Sequence, residues 1–185
     1  MNKSWIANGF TAANALFGGL SIMMSISGEY HVAAICILIA MAADAFDGRV
    51  ARALGTAGPM GVELDSLSDD ISFGVAAGAL MYSYQLRELG TLGFIPCALL
   101  GAFCAFRLAR FNVKVTSVHG YFEGLPCPTV GVIIACYVLS GVKIWNWLAM
   151  VCVLVLAVLM VSEVHYPDFK GKGEKIFLVS KVFAI

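Results

Sequence analysis

Six long apolar runs dominate the chain and leave few folds open. They cover Phe10–Ile26, His31–Arg52, Leu67–Tyr84, Leu92–Arg110, Leu125–Val142 and Trp145–Glu163. Each holds about 17 to 22 residues, enough to cross ~30 Å of hydrocarbon as a helix. Of the 185 residues, 60% are hydrophobic and only 13% are charged, too apolar for one soluble core to hide. A disordered chain would be less apolar and more charged. A nucleic-acid binder would carry a basic excess, whereas here twelve Lys and Arg balance twelve Asp and Glu. The expected fold is an all-α integral membrane protein, with six transmembrane helices and short loops. The first run follows Lys3 but lacks a clear small-residue cleavage site, so it reads as a helix rather than a signal peptide.

Basic residues set the expected orientation. One side would hold Lys3, Arg49, Arg52, Arg107, Arg110, Lys114, Lys170, Lys172, Lys175 and Lys181, and the other only Arg87 and Lys143. Both termini are therefore expected in the cytoplasm. The loops at Ser27–Tyr30, Gln85–Thr91 and Val142–Ile144 would face outward. Residues 1–165 would form the membrane domain and residues 166–185 a short cytoplasmic tail. The six cysteines form no CxxC pair and read as small buried apolar residues. His31, His119 and His165 lie far apart and suggest interfacial or loop positions.

The acids are distributed differently. Asp44, Asp47, Glu63, Asp65, Asp69 and Asp70 fall within 27 positions, and they are half of all the acids. They flank the short connection Ala53–Met60. Asp44 and Asp47 are three apart, and Asp65 and Asp69 four apart, so each pair shares a helical face. A tight hairpin would bring four carboxylates together at the cytoplasmic edge. Such a group repels itself unless something positive sits in it. Arg49 and Arg52 are too few, and oxygen-ligated Mg2+ or Mn2+ is the natural partner. Two such ions can hold a diphosphate. Gly48 and Gly61, with the small Ala51, would allow a bulky group close to the backbone, or else serve helix packing. Asp70 points to another face and reads as structural or surface.

Written out, the segment is Asp44-x2-Asp47-Gly48-x2-Ala51-Arg52-x8-Gly61-x3-Asp65-x3-Asp69. It resembles the signature of the CDP-alcohol phosphotransferase family at every fixed position. The resemblance covers roughly residues 1 to 165 and implies transfer from a nucleotide-linked phosphate ester such as CDP-diacylglycerol to an alcohol, with CMP leaving. It implies metal binding by Asp44, Asp47, Asp65 and Asp69, with Asp69 also the general base. It places Gly48, Ala51 and Gly61 against the cytidine nucleotide, and Arg52 on phosphate or in an ion pair closing the pocket. It also implies a homodimer. No Ser or Cys shows a paired base by spacing, so direct displacement without a covalent intermediate is expected.

A second cluster contains Arg107, Arg110, Asn112 and Lys114, then Glu123. Its basic residues could anchor against lipid headgroups or form an anion site facing the metals. The stretches RLARFNV and YFEGLP resemble the phosphatidylserine synthase branch of that family, which implies L-serine as the acceptor. A serine carboxylate would then meet Arg107, Arg110 or Lys114, and Glu123 could take its ammonium. Glycerol phosphate, inositol or inositol phosphate are alternative acceptors. On the first helix, Asn8, Thr11 and Asn14 are spaced by three. Asn8 would cap the helix, or Thr11 and Asn14 would face the nucleotide. Gly74-x3-Gly78 hints at close helix contact or dimerisation. Two other classes compete. A membrane prenyltransferase also uses aspartates and Mg2+, but carries two separate motifs and more spans. An ion or proton carrier would place its acids near mid-membrane rather than at one edge.

Overall fold

A computed structural model describes residues 4–55, 58–114, 121–162 and 165–167. Helix α1 runs over Ser4–Ile26 and α2 over Tyr30–Leu54. Gly28, at φ 83°, makes the turn between them, a conformation that costs glycine little. Gly55, at φ 63°, follows the end of α2. Pro59 then opens α3, Pro59–Asp69, at a first-turn position where its missing N–H costs nothing. Helical backbone continues without a break through a π-helical turn, Asp70–Val75, into α4, Ala76–Tyr84. The third helical pass therefore begins eight residues before the apolar run that predicts it. A 3-10 turn at Leu86–Leu89 leads to α5, Thr91–Lys114.

Helix α6, Cys127–Leu139, and α7, Asn146–Val161, complete the bundle. Both are shorter than the runs at 125–142 and 145–163 suggest. Pro126 stands extended before α6, and Gly141, at φ 68°, turns the chain after it. Among the described residues, α1, α2 and α5 contain segments long and apolar enough to cross a membrane. One short antiparallel pair joins β1, Tyr121–Glu123, to β2, His165–Pro167, opposing Phe122 to Tyr166. It is an addition to the all-α expectation, and Gly124 at φ 75° turns the chain from β1 towards α6. The rest of the expected tail, residues 168–185, lies outside the described residues.

The bundle is built inside out relative to a soluble protein. Ala33, Ala34, Ala40, Ala76, Ala77, Ala135, Ala149 and Ala157 are fully buried. Leu16, Met23, Ile26, Phe94, Trp147 and Val158 are exposed. Small residues let helix backbones approach, while large apolar side chains face outward, as a lipid solvent permits. Gly74 and Gly78 show the device at work. A Cβ on Gly74 would come within 2.9 Å of the Cys104 Cβ, and one on Gly78 within 2.6 Å of the Cys97 carbonyl oxygen. The Gly74-x3-Gly78 pattern thus seats the third helical pass against α5 of the same chain. Cys36, Cys97, Cys104 and Cys127 are buried as expected, but Cys136 and Cys152 are exposed. Helical rotation turns those two outward from α6 and α7, where a thiol serves as a small apolar group.

At the end of the bundle remote from the aspartates, Gln85 ties three segments together. Its Nε2 donates to the Ile144 carbonyl at 2.6 Å and to Asn146 Oδ1 at 3.0 Å, and Tyr137 Oη donates to its Oε1. Asn146 in turn donates to Glu88 at 2.6 Å. This closed polar network fixes the α6–α7 connection against the 3-10 turn.

Candidate active site

Helix α2 presents Asp44 and Asp47, and α3 presents Asp65 and Asp69. One carboxylate oxygen each from Asp44, Asp47 and Asp65 lies within 4.8 Å of the others, close enough to hold one metal ion. Asp65 Oδ1 is buried and, among the described residues, has no hydrogen-bond partner. An orphaned carboxylate oxygen within a triad of acids is what an oxygen-seeking divalent cation would satisfy, so the donor set fits such an ion. Asp69 stands outside this triad, one helical turn beyond Asp65. It is buried, 8% exposed, and near enough to Asp44 and Asp65 to feel their charge. The four expected carboxylates thus divide into a cluster of three and a neighbouring fourth.

Helix α1 supplies the hydrogen bonds that orient two of these acids. Thr11 Oγ1 donates to Asp47 Oδ2 at 2.8 Å. Asn14 Nδ2 donates to Asp69 Oδ1 at 3.0 Å. Thr11 and Asn14 are buried. Asn8 does not cap the helix, because α1 starts at Ser4 and Asn8 lies one turn inside it. Its Oδ1 is instead 3.9 Å from where a Cβ on Gly61 would sit, with nothing else among the described residues within 4 Å. Among the described residues, Gly61 therefore faces open space. Gly48, next to Asp47, is half-buried.

The second cluster is spread along the end of α5. Arg107 is buried, with Nη1 3.5 Å from Cys127 Sγ and Nε lacking a partner among the described residues. Arg110 is turned elsewhere: its Nη1 and Nη2 donate to the carbonyls of Val161 and Ser162 at 3.1 and 3.3 Å. It therefore satisfies the open end of α7, a common use of arginine at a helix C-terminus. Asn112 Nδ2 donates to Ser66 Oγ at 3.0 Å, which ties α5 to α3 one residue from Asp65. The side chains of Ala51, Arg52, Lys114 and Glu123 lie outside the described residues.

Sequence spacing alone did not single out Cys127, Ser66 or Ser72. Cys127 meets Arg107, Ser66 meets Asn112, and Ser72 Oγ donates to the Asn14 backbone carbonyl at 2.9 Å. Ser72 carried a usable signal, since it follows Asp69 by three residues on the same helix. Cys127 carried none, because its partner arrives from a different helix.

The sequence pattern that defines the CDP-alcohol phosphatidyltransferases matches residues 4–161. The chain belongs to that family. Among similar proteins, a CDP-diacylglycerol–serine O-phosphatidyltransferase of Helicobacter pylori is 35% identical, over 95% of this chain and 78% of its own. The Bacillus subtilis protein of that name is 35% identical, over 86% of this chain and 88% of its own. An archaetidylserine synthase of Methanothermobacter thermautotrophicus is 37% identical, over 86% of this chain and 68% of its own. Family membership and the long apolar helices together make this CDP-alcohol phosphatidyltransferase a membrane protein.

Proposed function

We propose that the protein transfers the phosphatidyl group of CDP-diacylglycerol to the hydroxyl of L-serine, giving phosphatidylserine and CMP. The observation that carries this reading is the carboxylate cluster of Asp44, Asp47 and Asp65, with Asp69 beside it, in a chain that aligns almost end to end with relatives named for serine transfer.

Asp44, Asp47 and Asp65 hold one divalent cation, Mg2+ or Mn2+, and Asp69 contributes to a second. When bound, these ions supply charge neutralisation for the diphosphate and for the departing CMP. The chain's own residues do the rest. Asp69 takes the proton from the serine hydroxyl as its oxygen attacks the β phosphorus. A new O–P bond forms there, the bond from that phosphorus to the bridging oxygen breaks, and CMP carries the electron pair away. The proton remains on the Asp69 carboxyl. Gly48, Ala51 and Gly61 leave room for the cytidine nucleotide, with Arg52 on phosphate. Arg107, whose buried Nε lacks a partner, takes the serine carboxylate. Asn112, Lys114 and Glu123 are further candidates for the acceptor, whereas Arg110, at the end of α5, spends its guanidinium on the carbonyls that end α7.

The reading places the site on the cytoplasmic side of a bilayer, with six crossings and both termini inside. It includes a homodimer, a membrane domain over residues 1–165 and a cytoplasmic tail over residues 166–185. The orientation in this reading rests on the ten-to-two division of basic residues across the expected crossings. Purified protein given CDP-diacylglycerol, Mn2+ and radiolabelled L-serine should move label into organic-extractable lipid. Label that stays in the aqueous phase under every metal condition would overturn the assignment.

A further inference from the structure

The sequence spacing of α1 offers Asn14 as a nucleotide contact. The geometry points to a different task. Asn14 is fully buried, and its Nδ2 donates to Asp69 Oδ1 at 3.0 Å. A carboxylate only accepts, so the amide nitrogen must face it. With that nitrogen committed to Asp69, the Asn14 Oδ1 is left buried and without a partner among the described residues. A carboxamide present only to tie two helices together would have both ends satisfied.

The backbone of Asn14 is itself fixed. Ser72, fully buried in the π-helical turn, donates from Oγ to the Asn14 carbonyl at 2.9 Å. Gly18, one turn further along α1, makes this approach possible. A Cβ there would fall 2.3 Å from Ser72 Oγ and 2.9 Å from Ser72 Cα. The π turn begins at the residue after Asp69, so one irregular stretch sets both the Asp69 backbone and the serine that holds its hydrogen-bond donor. π turns inside α-helices are often found at functional sites.

We propose that Asn14 is a positioning residue for Asp69. Its Nδ2 donates to one carboxylate oxygen and so fixes the rotation of the carboxylate that receives the serine proton. Ser72 and Gly18 hold Asn14 in place. This rests on the proposed reaction, in which Asp69 is the base, and it removes Asn14 from the nucleotide-binding set.

The test separates the two roles of Asn14. Asn14→Leu keeps the volume and removes both polar ends, and Asn14→Ala removes the side chain. Each variant is assayed for serine-dependent CMP release, for serine KM, for CMP affinity by calorimetry without serine, and for thermal unfolding. The expected result is a kcat roughly 10- to 100-fold lower, as for a misplaced reacting group. Serine KM and CMP affinity should stay within about twofold of the parent, as befits a residue touching neither ligand. Ser72→Ala, which loosens the Asn14 carbonyl alone, should lower kcat by a smaller factor with the same unchanged affinities. It keeps the question decidable if both Asn14 variants unfold. Unchanged kcat in the folded variants, or CMP affinity falling in step with kcat, would overturn the proposal. A parent enzyme that releases no CMP with serine would instead sink the proposed function.

Discussion

Asp65 and Asp69 are four residues apart on one helix, yet their surroundings give them different work. Asp65 belongs to the three-carboxylate cluster and has a buried, unpartnered oxygen. Asp69 lies outside that cluster and has an oxygen held by Asn14. Asp65→Ala should therefore abolish Mn2+ binding at the first site, measured by electron paramagnetic resonance, while the fold survives. Asp69→Asn should lower turnover by at least about 100-fold, the range for losing a general base. CMP affinity should stay within a few-fold, and a parallel collapse of CMP affinity would show Asp69 to be a nucleotide contact. Arg107→Ala should raise serine KM about 10-fold or more, since a charged hydrogen bond to a carboxylate is among the stronger contacts. An unchanged KM would place the serine carboxylate elsewhere. The carboxylates were legible at this scale because charges are scarce in so apolar a chain. The Asn14–Asp69 bond was not. No spacing within α1 or α3 records how one helix is rotated against the other.

Among elements, the third helical pass bears most of the design. It carries two of the acids, bends its ladder in a π turn, and packs on α1 through Gly18 and on α5 through Gly74 and Gly78. Gly78→Val would drive side-chain atoms into the Cys97 carbonyl. Such overpacking costs about 1–3 kcal/mol and should appear as a lower unfolding temperature in detergent. An unchanged temperature would mean that α4 and α5 separate easily. Hydrophobic runs located this pass but missed its start, because α3 is amphipathic and carries the acids. They overestimated the pass after β1 because Pro126 and Gly141 cut the helix short at both ends. A π turn leaves no mark in apolar periodicity, so it stayed hidden.

For the whole molecule, the division of charge carries the orientation. Ser27, in the α1–α2 turn, and Ala53, at the end of α2, are both exposed and lie at opposite ends of α2. In cells producing a cysteine-free background, Ser27→Cys should react with an impermeant maleimide from outside. Ala53→Cys should react only after permeabilisation. The reverse pattern would invert the membrane orientation and move the carboxylates to the outer face. Broad architecture was readable because each apolar run needs its own helix in lipid. The core was less readable, since its alanines look like any other part of an apolar run until neighbouring helices select one face.

If the carboxylate site joins CDP-diacylglycerol to serine, the acceptor alcohol decides whether CMP appears. The most direct measurement is CMP release by the purified protein with Mn2+ or Mg2+ and CDP-diacylglycerol, supplying L-serine, glycerol phosphate, inositol or inositol phosphate in turn. CMP should be released with serine, not with the other three, and release should be lost on chelation of the metal. Release with one of the other alcohols and not with serine would contradict the serine assignment.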